Sequence, residues 1–178
     1  MEKGLKLLIT VKTYPTPSTR YREIVCTAGV DEDGKWFRLY PINYRDREFS
    51  QWYKKYQWIE VKTKKHEKDG RPESYKPIGD IKLGSIVDTQ NKWYERKRIV
   101  LKKGYRTMCF LSLQKQTDIS ISIVRPKKVV DFYWIKTNNK WSAKQLGVLN
   151  QLHLFDKNKP LEKIPYQFKY KFYCDIIL

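Results

Sequence analysis

A β-rich α+β fold, built on one or two partly open OB-like β-barrels with about three short helices, is what this sequence predicts. Three observations carry that expectation. Short runs rich in β-branched and aromatic residues recur along the 178 residues. Only three stretches of useful length have helical spacing. Strands and helices do not alternate regularly, as a layered α/β sheet would require.

Taken in order, Leu5–Val11 is a continuous apolar run that fits a buried strand. Residues Tyr14 to Thr19 hold two prolines, which forbid a helix and make a stiff loop. That loop delivers the cluster Arg20-Tyr21-Arg22 to the base of a β-hairpin over 23–40. The first arm, Glu23–Val30, is rich in β-formers. Asp31-Glu32-Asp33-Gly34 supplies turn chemistry, since Gly34 tolerates positive φ and the aspartates can bond their own backbone. The second arm, Lys35–Tyr40, is stopped by Pro41. Alternation puts Phe37 and Leu39 on one face and Trp36, Arg38 and Tyr40 on the other.

Residues Arg45 to Tyr56 carry Phe49, Trp52, Tyr53 and Tyr56 at spacings of three and four, which predicts a short helix with an aromatic stripe. Gln57–Thr63 alternates as a strand, Ile59 and Val61 inward and Trp58, Glu60 and Lys62 outward. A charged connector, Lys64–Gly70, follows. The segment from Arg71 to Pro77 is extended, and its prolines argue against a central strand. Ile81–Val87 is a strand with Gly84 as a bulge. Asn91–Leu101 is helix-compatible, with Trp93, Arg96, Val100 and Leu101 to one side, and Met108–Leu113 fits either helix or strand. Ile119–Val124 and Val129–Ile135 read as strands around Arg125-Pro126-Lys127-Lys128. Ser142 caps a helix over 142–152 that buries Leu146, Leu149 and Leu152. Tyr166 to Ile177 is the last strand, with Phe168, Tyr170, Phe172, Cys174 and Ile176 on one face and Lys169 and Lys171 on the other. These elements divide into an OB-like domain over 1–88 and a second OB-like domain over 89–178, complete or not.

Lysine and arginine total 37 against 19 acidic residues, a formal charge of +18. Hydrophobic residues at 40% and aromatics at 15% are too many for a disordered polycation, so the excess charge belongs to a folded surface that seeks a polyanion. DNA or RNA is the obvious one, alone or within a larger protein or ribonucleoprotein complex. Membrane attachment would want a basic amphipathic helix or a lipidation signal, and the sequence shows neither. The amino-terminal apolar run is too short to span a bilayer. Cys26, Cys109 and Cys174 are scattered, which signals neither a disulfide frame nor a zinc knuckle and suits a reducing cytoplasm. No cofactor or metal set can be assembled.

Candidate contacts to nucleic acid are cations beside rings: Arg20, Tyr21 and Arg22; Trp36, Arg38 and Tyr40; Arg45, Trp58, Lys62 and Arg71; and Lys169 and Lys171. Rings stack bases and cations meet phosphates. The bland alternative packs Trp36 and Tyr40 under another element, with Arg38 snorkelling. Two other functions compete. Asp46, Glu60 and Lys62 have the form of a restriction-type nuclease site, in which carboxylates and a lysine hold a metal and an attacking water; Glu95-Arg96-Lys97 after Asp88 repeats the pattern. A non-catalytic scaffold for an acidic protein would use the same basic surface.

Cys26-Thr27-Ala28-Gly29 followed by Gly34-Lys35-Trp36-Phe37-Arg38 resembles the C-x-A-G … G-x-W-x-R signature of bacterial dual OB-fold domain proteins of prokaryotic and phage-conflict gene neighbourhoods. The resemblance implies nucleic-acid binding through OB-like sheets, with Trp36 and Arg38 in that role. It also implies an accessory place in defence. By the same resemblance, the stop at Cys174-Asp175-Ile176-Ile177-Leu178 without a terminal turn leaves the completeness of a second barrel open.

Overall fold

Strand β1 (Glu2–Lys12) pairs on both flanks, with β3 (Arg22–Val30) on one side and β5 (Gln57–Lys65) on the other, and so closes a sheet into a barrel. The structure, a computed structural model, describes residues 2–113, 119–153 and 161–174, without the side chains of Arg22, Leu113, Gln151, Leu152 and His153. Around the barrel the order is β1-β3-β4-β6-β5-β1, where β4 is Trp36–Ile42 and β6 is Ser74–Ile86. All pairs are antiparallel except β4 with β6. Numbered by barrel strand alone, the order is 1-2-3-5-4-1, a closed five-stranded mixed barrel of OB-like form. A short β2 (Thr16–Ser18) extends the sheet beyond β3.

The interior follows from alternation. Leu5, Leu7 and Ile9 of β1, Phe37 and Leu39 of β4, Ile59 and Val61 of β5 and Ile81 of β6 are buried together. Each such side chain contributes about 1.5–3 kcal/mol on burial. Tyr53, fully buried, enters this core and shares a hydrogen bond between its hydroxyl and that of Thr27. Burial pushes the Tyr53 phenol well above its ordinary range, with the Thr27 bond opposing.

The turn of the hairpin and the alternation of its faces form as the sequence predicts, but Pro41 does not stop the second arm. Asp31 Oδ1 accepts from the N–H groups of Asp33 and Lys35 at 3.0 and 2.8 Å, and Gly34 takes φ +75°. The second arm continues past Tyr40, through a cis peptide to Pro41, and ends at Ile42.

Several expectations are corrected. Residues 45–56 hold only a 3-10 turn at Phe49–Gln51, because their rings do not share one face: Tyr53 is inside the barrel, while Phe49 is 82% exposed. The segment from Arg71 to Pro77 is not separate from the next strand, since β6 runs on from Ser74 through Pro77. Its pairing with β4 stops at Tyr75, so proline costs no bond on that flank. The register against β5 slips opposite Trp58, where Gly84 lies, and Gly84 leaves room for no Cβ beyond 3.2 Å from Trp58 Cβ. Residues 119–124 are not a strand. Ser120 gives its N–H and hydroxyl to the Glu73 carboxylate, both at 2.7 Å, instead of to a ladder, and only Val124 bridges, to Arg106.

Helix α1 (Gln90–Val100) opens with Asn91, Lys92 and Trp93 in left-handed backbone, so regular helix begins only at Tyr94, and it buries none of its residues. Helix α2 is Met108–Leu113. Helix α3 (Ala143–His153) starts at a reciprocal cap. Ser142 Oγ accepts from Gln145 N–H at 3.3 Å, and Gln145 Oε1 accepts from Ser142 N–H at 3.1 Å. Leu149 is buried but Leu146 is exposed, and the Leu152 side chain lies outside the described residues, as do residues 175–178. Strands β7 (Pro126–Lys136) and β8 (Tyr166–Cys174) pair only with each other among the described residues, as an antiparallel ribbon. All of β7 is exposed.

Candidate nucleic-acid interface

OB-fold barrels bind oligonucleotides across strands two and three and the loops joining strands one to two and four to five. Here those are β3 and β4, residues 13–21, and residues 66–73. The outer face of β4 presents Trp36, Arg38 and Tyr40, all half-buried.

Arg38 is the hub of this surface, and its charge is already committed. Its Nη1 donates to Asp69 Oδ2 at 2.6 Å and to Ser74 Oγ at 3.3 Å, its Nε donates to Cys26 Sγ at 3.1 Å, and its guanidinium lies 4.5 Å from the Tyr40 ring centre. Ser74 donates in turn to Asp69 Oδ2 at 2.8 Å. Burial alone would raise the Asp69 pKa. The Ser74 bond, the Arg71 N–H and the charges of Arg71 and Arg38 outweigh it and hold the carboxyl below its usual range.

Lys65 Nζ ties the far side of the same loop, donating to the carbonyls of Arg71 and Pro72 at 2.8 and 2.6 Å. Asp69 N–H donates to the His66 carbonyl, and His66 N–H to that of Ser74. The loop 66–73 is therefore fixed in place before any ligand arrives.

Between this loop and the Arg20-Tyr21 turn lies a cleft of about 280 Å³. Its rings are Tyr21, Tyr40 and His66, the last with its centre 6.1 Å from that of Tyr40. Its cations are Arg20, Lys64, Lys65, Lys68 and Lys76, against the single carboxylate of Glu67. Arg20 lies 5.2 Å from the Tyr21 ring centre. Lys64 and Lys76 stand directly opposite each other on β5 and β6. Like charges in that position are destabilising, and neither lysine is in an ion pair among the described residues, although Glu2 of β1 stands opposite Lys64 on its other flank. Tyr21 and Lys76 also line an adjoining depression of about 450 Å³ with Pro41, Asn43, Asp46 and Arg47.

Of the residues singled out from sequence, Arg20, Tyr21 and Tyr40 meet in this cleft. Arg38 and Arg71 hold its loop through Asp69, at 2.6 and 3.5 Å. Arg45 is ion-paired with Glu23 at 3.2 Å. The Arg22 side chain is outside the described residues. Trp58 lies elsewhere on the barrel, 5.5 Å from the Lys6 ammonium and beside a cleft shared with α1. Lys62 and Glu60 face a depression with Lys6 and Lys82, which Asp46 does not line; Asp46 borders the Tyr21–Lys76 depression. In the second nuclease-like match, Glu95 is paired with Arg98 at 2.8 Å. Among the described residues no three His, Cys, Asp or Glu side chains cluster as a metal site. Lys169 and Lys171 lie on the ribbon, opposite Tyr133 and Asp131.

Lys64, Lys65, His66, Lys68 and Lys76 were hidden in what reads as a charged connector and a proline-bounded segment. Their signal is a lysine run between two strands, which becomes a site only when those strands are the fourth and fifth of an OB-like barrel.

Two family descriptions match the chain: Domain of unknown function (DUF8758) over residues 3–102 and Domain of unknown function (DUF8757) over residues 104–176. No curated protein and no solved structure is significantly similar to it. No helix among the described residues is long and apolar enough to cross a membrane.

Proposed function

The chain belongs to the DUF8758 family, and within the barrel that this family covers we propose a groove for single-stranded DNA or RNA, bound without sequence readout. One observation carries the reading. Lys64 and Lys76 oppose each other, neither held in an ion pair among the described residues, in a ring-lined cleft at the place where OB barrels take oligonucleotides. A phosphate between them removes their repulsion, while Tyr21, Tyr40 and His66 offer ring faces or edges to bases. The cleft has the scale of one nucleotide, which favours a strand over a duplex.

Arg38 has a different role from the phosphate contact expected of it: it positions the loop that carries His66 and Lys68. The resemblance of Cys26–Gly29 and Gly34–Arg38 adds, as part of the proposal, a cytoplasmic accessory role in bacterial or phage conflict, alone or within a larger ribonucleoprotein.

Fluorescence anisotropy with single-stranded and duplex DNA and RNA, between about 50 and 200 mM salt, tests this. Single strands should bind better, and log K should fall against log salt with a slope of about −2, as three phosphates would give, one on Arg20, one shared by Lys64 and Lys76 and one on Lys68. A flat salt response would overturn the reading.

A further inference from the structure

One face of the β7–β8 ribbon is rich in aromatic rings, and among the described residues no strand pairs with it from outside. Its register places Phe132 opposite Tyr170 and Trp134 opposite Phe168, so these four rings share one face. Phe132 stacks within 6.2 Å of Phe168 and 4.8 Å of Tyr170. Trp134, Phe168 and Tyr170 are each more than 60% exposed. An exposed patch of this kind marks an interaction surface.

We propose that this aromatic face is a second stacking platform for single-stranded nucleic acid, used in addition to the barrel groove; the inference rests on the reading above for its ligand. Charge selects the occupant. Lys127, Lys128, Lys136, Lys169 and Lys171 against Asp131 give the ribbon as a whole a net +4, which repels a second copy and draws a polyanion, with Lys136 on the aromatic face and Lys169, Lys171 and Asp131 on the reverse one. Spacing selects the strand form. Rings two residues apart along a strand are about 6.6–6.8 Å apart. That is twice the ~3.4 Å rise of stacked bases in a duplex. Each ring meets its own base only when the strand is extended, an arrangement known from sheets that stack two or three unpaired bases.

The test uses the full chain and oligothymidylate DNA of about 8 and about 30 nucleotides. Trp134→Ala with Phe168→Ala should weaken the longer probe by about 30-fold or more, the loss of two stacked bases. It should leave the shorter probe, held in the groove, unchanged. Lys64→Ala with Lys76→Ala should weaken both. Should only the ribbon pair matter, the platform stands and the groove reading fails. Should the ribbon pair leave both probes unchanged, the platform is overturned while the groove remains. Ultraviolet crosslinking of the unmodified chain decides independently of variant folding. Adducts at Trp134, Phe168 or Tyr170 support the platform, and adducts confined to Tyr21, Tyr40 and His66 overturn it. A concentration-dependent dimer in sedimentation that the ribbon pair abolishes, with probe binding intact, assigns the face to a second copy and overturns it as well.

Discussion

The barrel and the ribbon are written in the same alternating code and end in opposite environments. In β4, Phe37 and Leu39 alternate with Trp36, Arg38 and Tyr40, and the first pair is fully buried. In β8, Phe168 and Tyr170 alternate with Lys169 and Lys171, and all four are exposed. Alternation specifies a strand with two unlike faces. Whether the apolar face is covered depends on closure, and β1 supplies closure only to the barrel, by pairing with both β3 and β5. An apolar face that closure does not cover is available to a ligand.

The sharpest way to break that contrast is to truncate a ring in each region. Phe37→Ala should cost about 3–5 kcal/mol in urea unfolding, as a cavity in a sealed core does. A loss under about 1 kcal/mol would show that the barrel interior is looser than its burial implies.

Next in size are two variants of the barrel's own devices. Gly29 sits where an added Cβ would come within 2.5 Å of the Leu8 carbonyl oxygen, so Gly29→Ala should cost about 1–3 kcal/mol by overpacking the β1–β3 seam. Asp69→Asn should cost about 1–3 kcal/mol at neutral pH, because Arg38 loses a charged hydrogen-bond partner. Its pH dependence has a definite sign. The folded carboxyl titrates below its ordinary value of 3.8, so its contribution is complete above that pH and fades as pH falls through the lowered value. Acid unfolding curves of the parent and Asp69→Asn should therefore converge below about pH 4. A gap that stays constant to lower pH would remove Asp69 from the account of the loop.

The smallest effect belongs to the ribbon. Phe168→Ala should change stability by no more than about 0.5 kcal/mol, since an exposed ring leaves no sealed cavity. A larger loss, measured in the same urea titration, would mean that the aromatic face is covered in solution.

What the sequence discloses follows the range of the interactions involved. The hairpin was legible because its turn residues and its alternation are local: Gly34, Asp31 and the Phe37–Leu39 face need no distant partner to be recognised. The 45–56 region misled because ring spacings of three and four imitate a helix, although Tyr53 and Phe49 go to opposite environments. The continuous β6 was obscured by Pro77, whose tolerance depends on where the β4 pairing stops. The proposed groove was least legible of all. The lysine pair is a matter of register between residues twelve apart, and the neutralisation of Arg38 depends on a loop aspartate thirty-one residues away. Neither is visible before the barrel is closed.

The Lys76→Glu variant tests the central claim most directly, because it separates stability from binding. A carboxylate at position 76, added to Glu2 on the other flank of Lys64, replaces repulsion with attraction, so the melting midpoint should hold or rise, by an amount equivalent to about 0.2–1 kcal/mol. Affinity for single-stranded oligonucleotide should fall, and the salt slope should become shallower by at least about one unit, as loss of a phosphate contact requires. A variant that keeps both the parent affinity and the parent salt slope would contradict a nucleic-acid groove at Lys64 and Lys76.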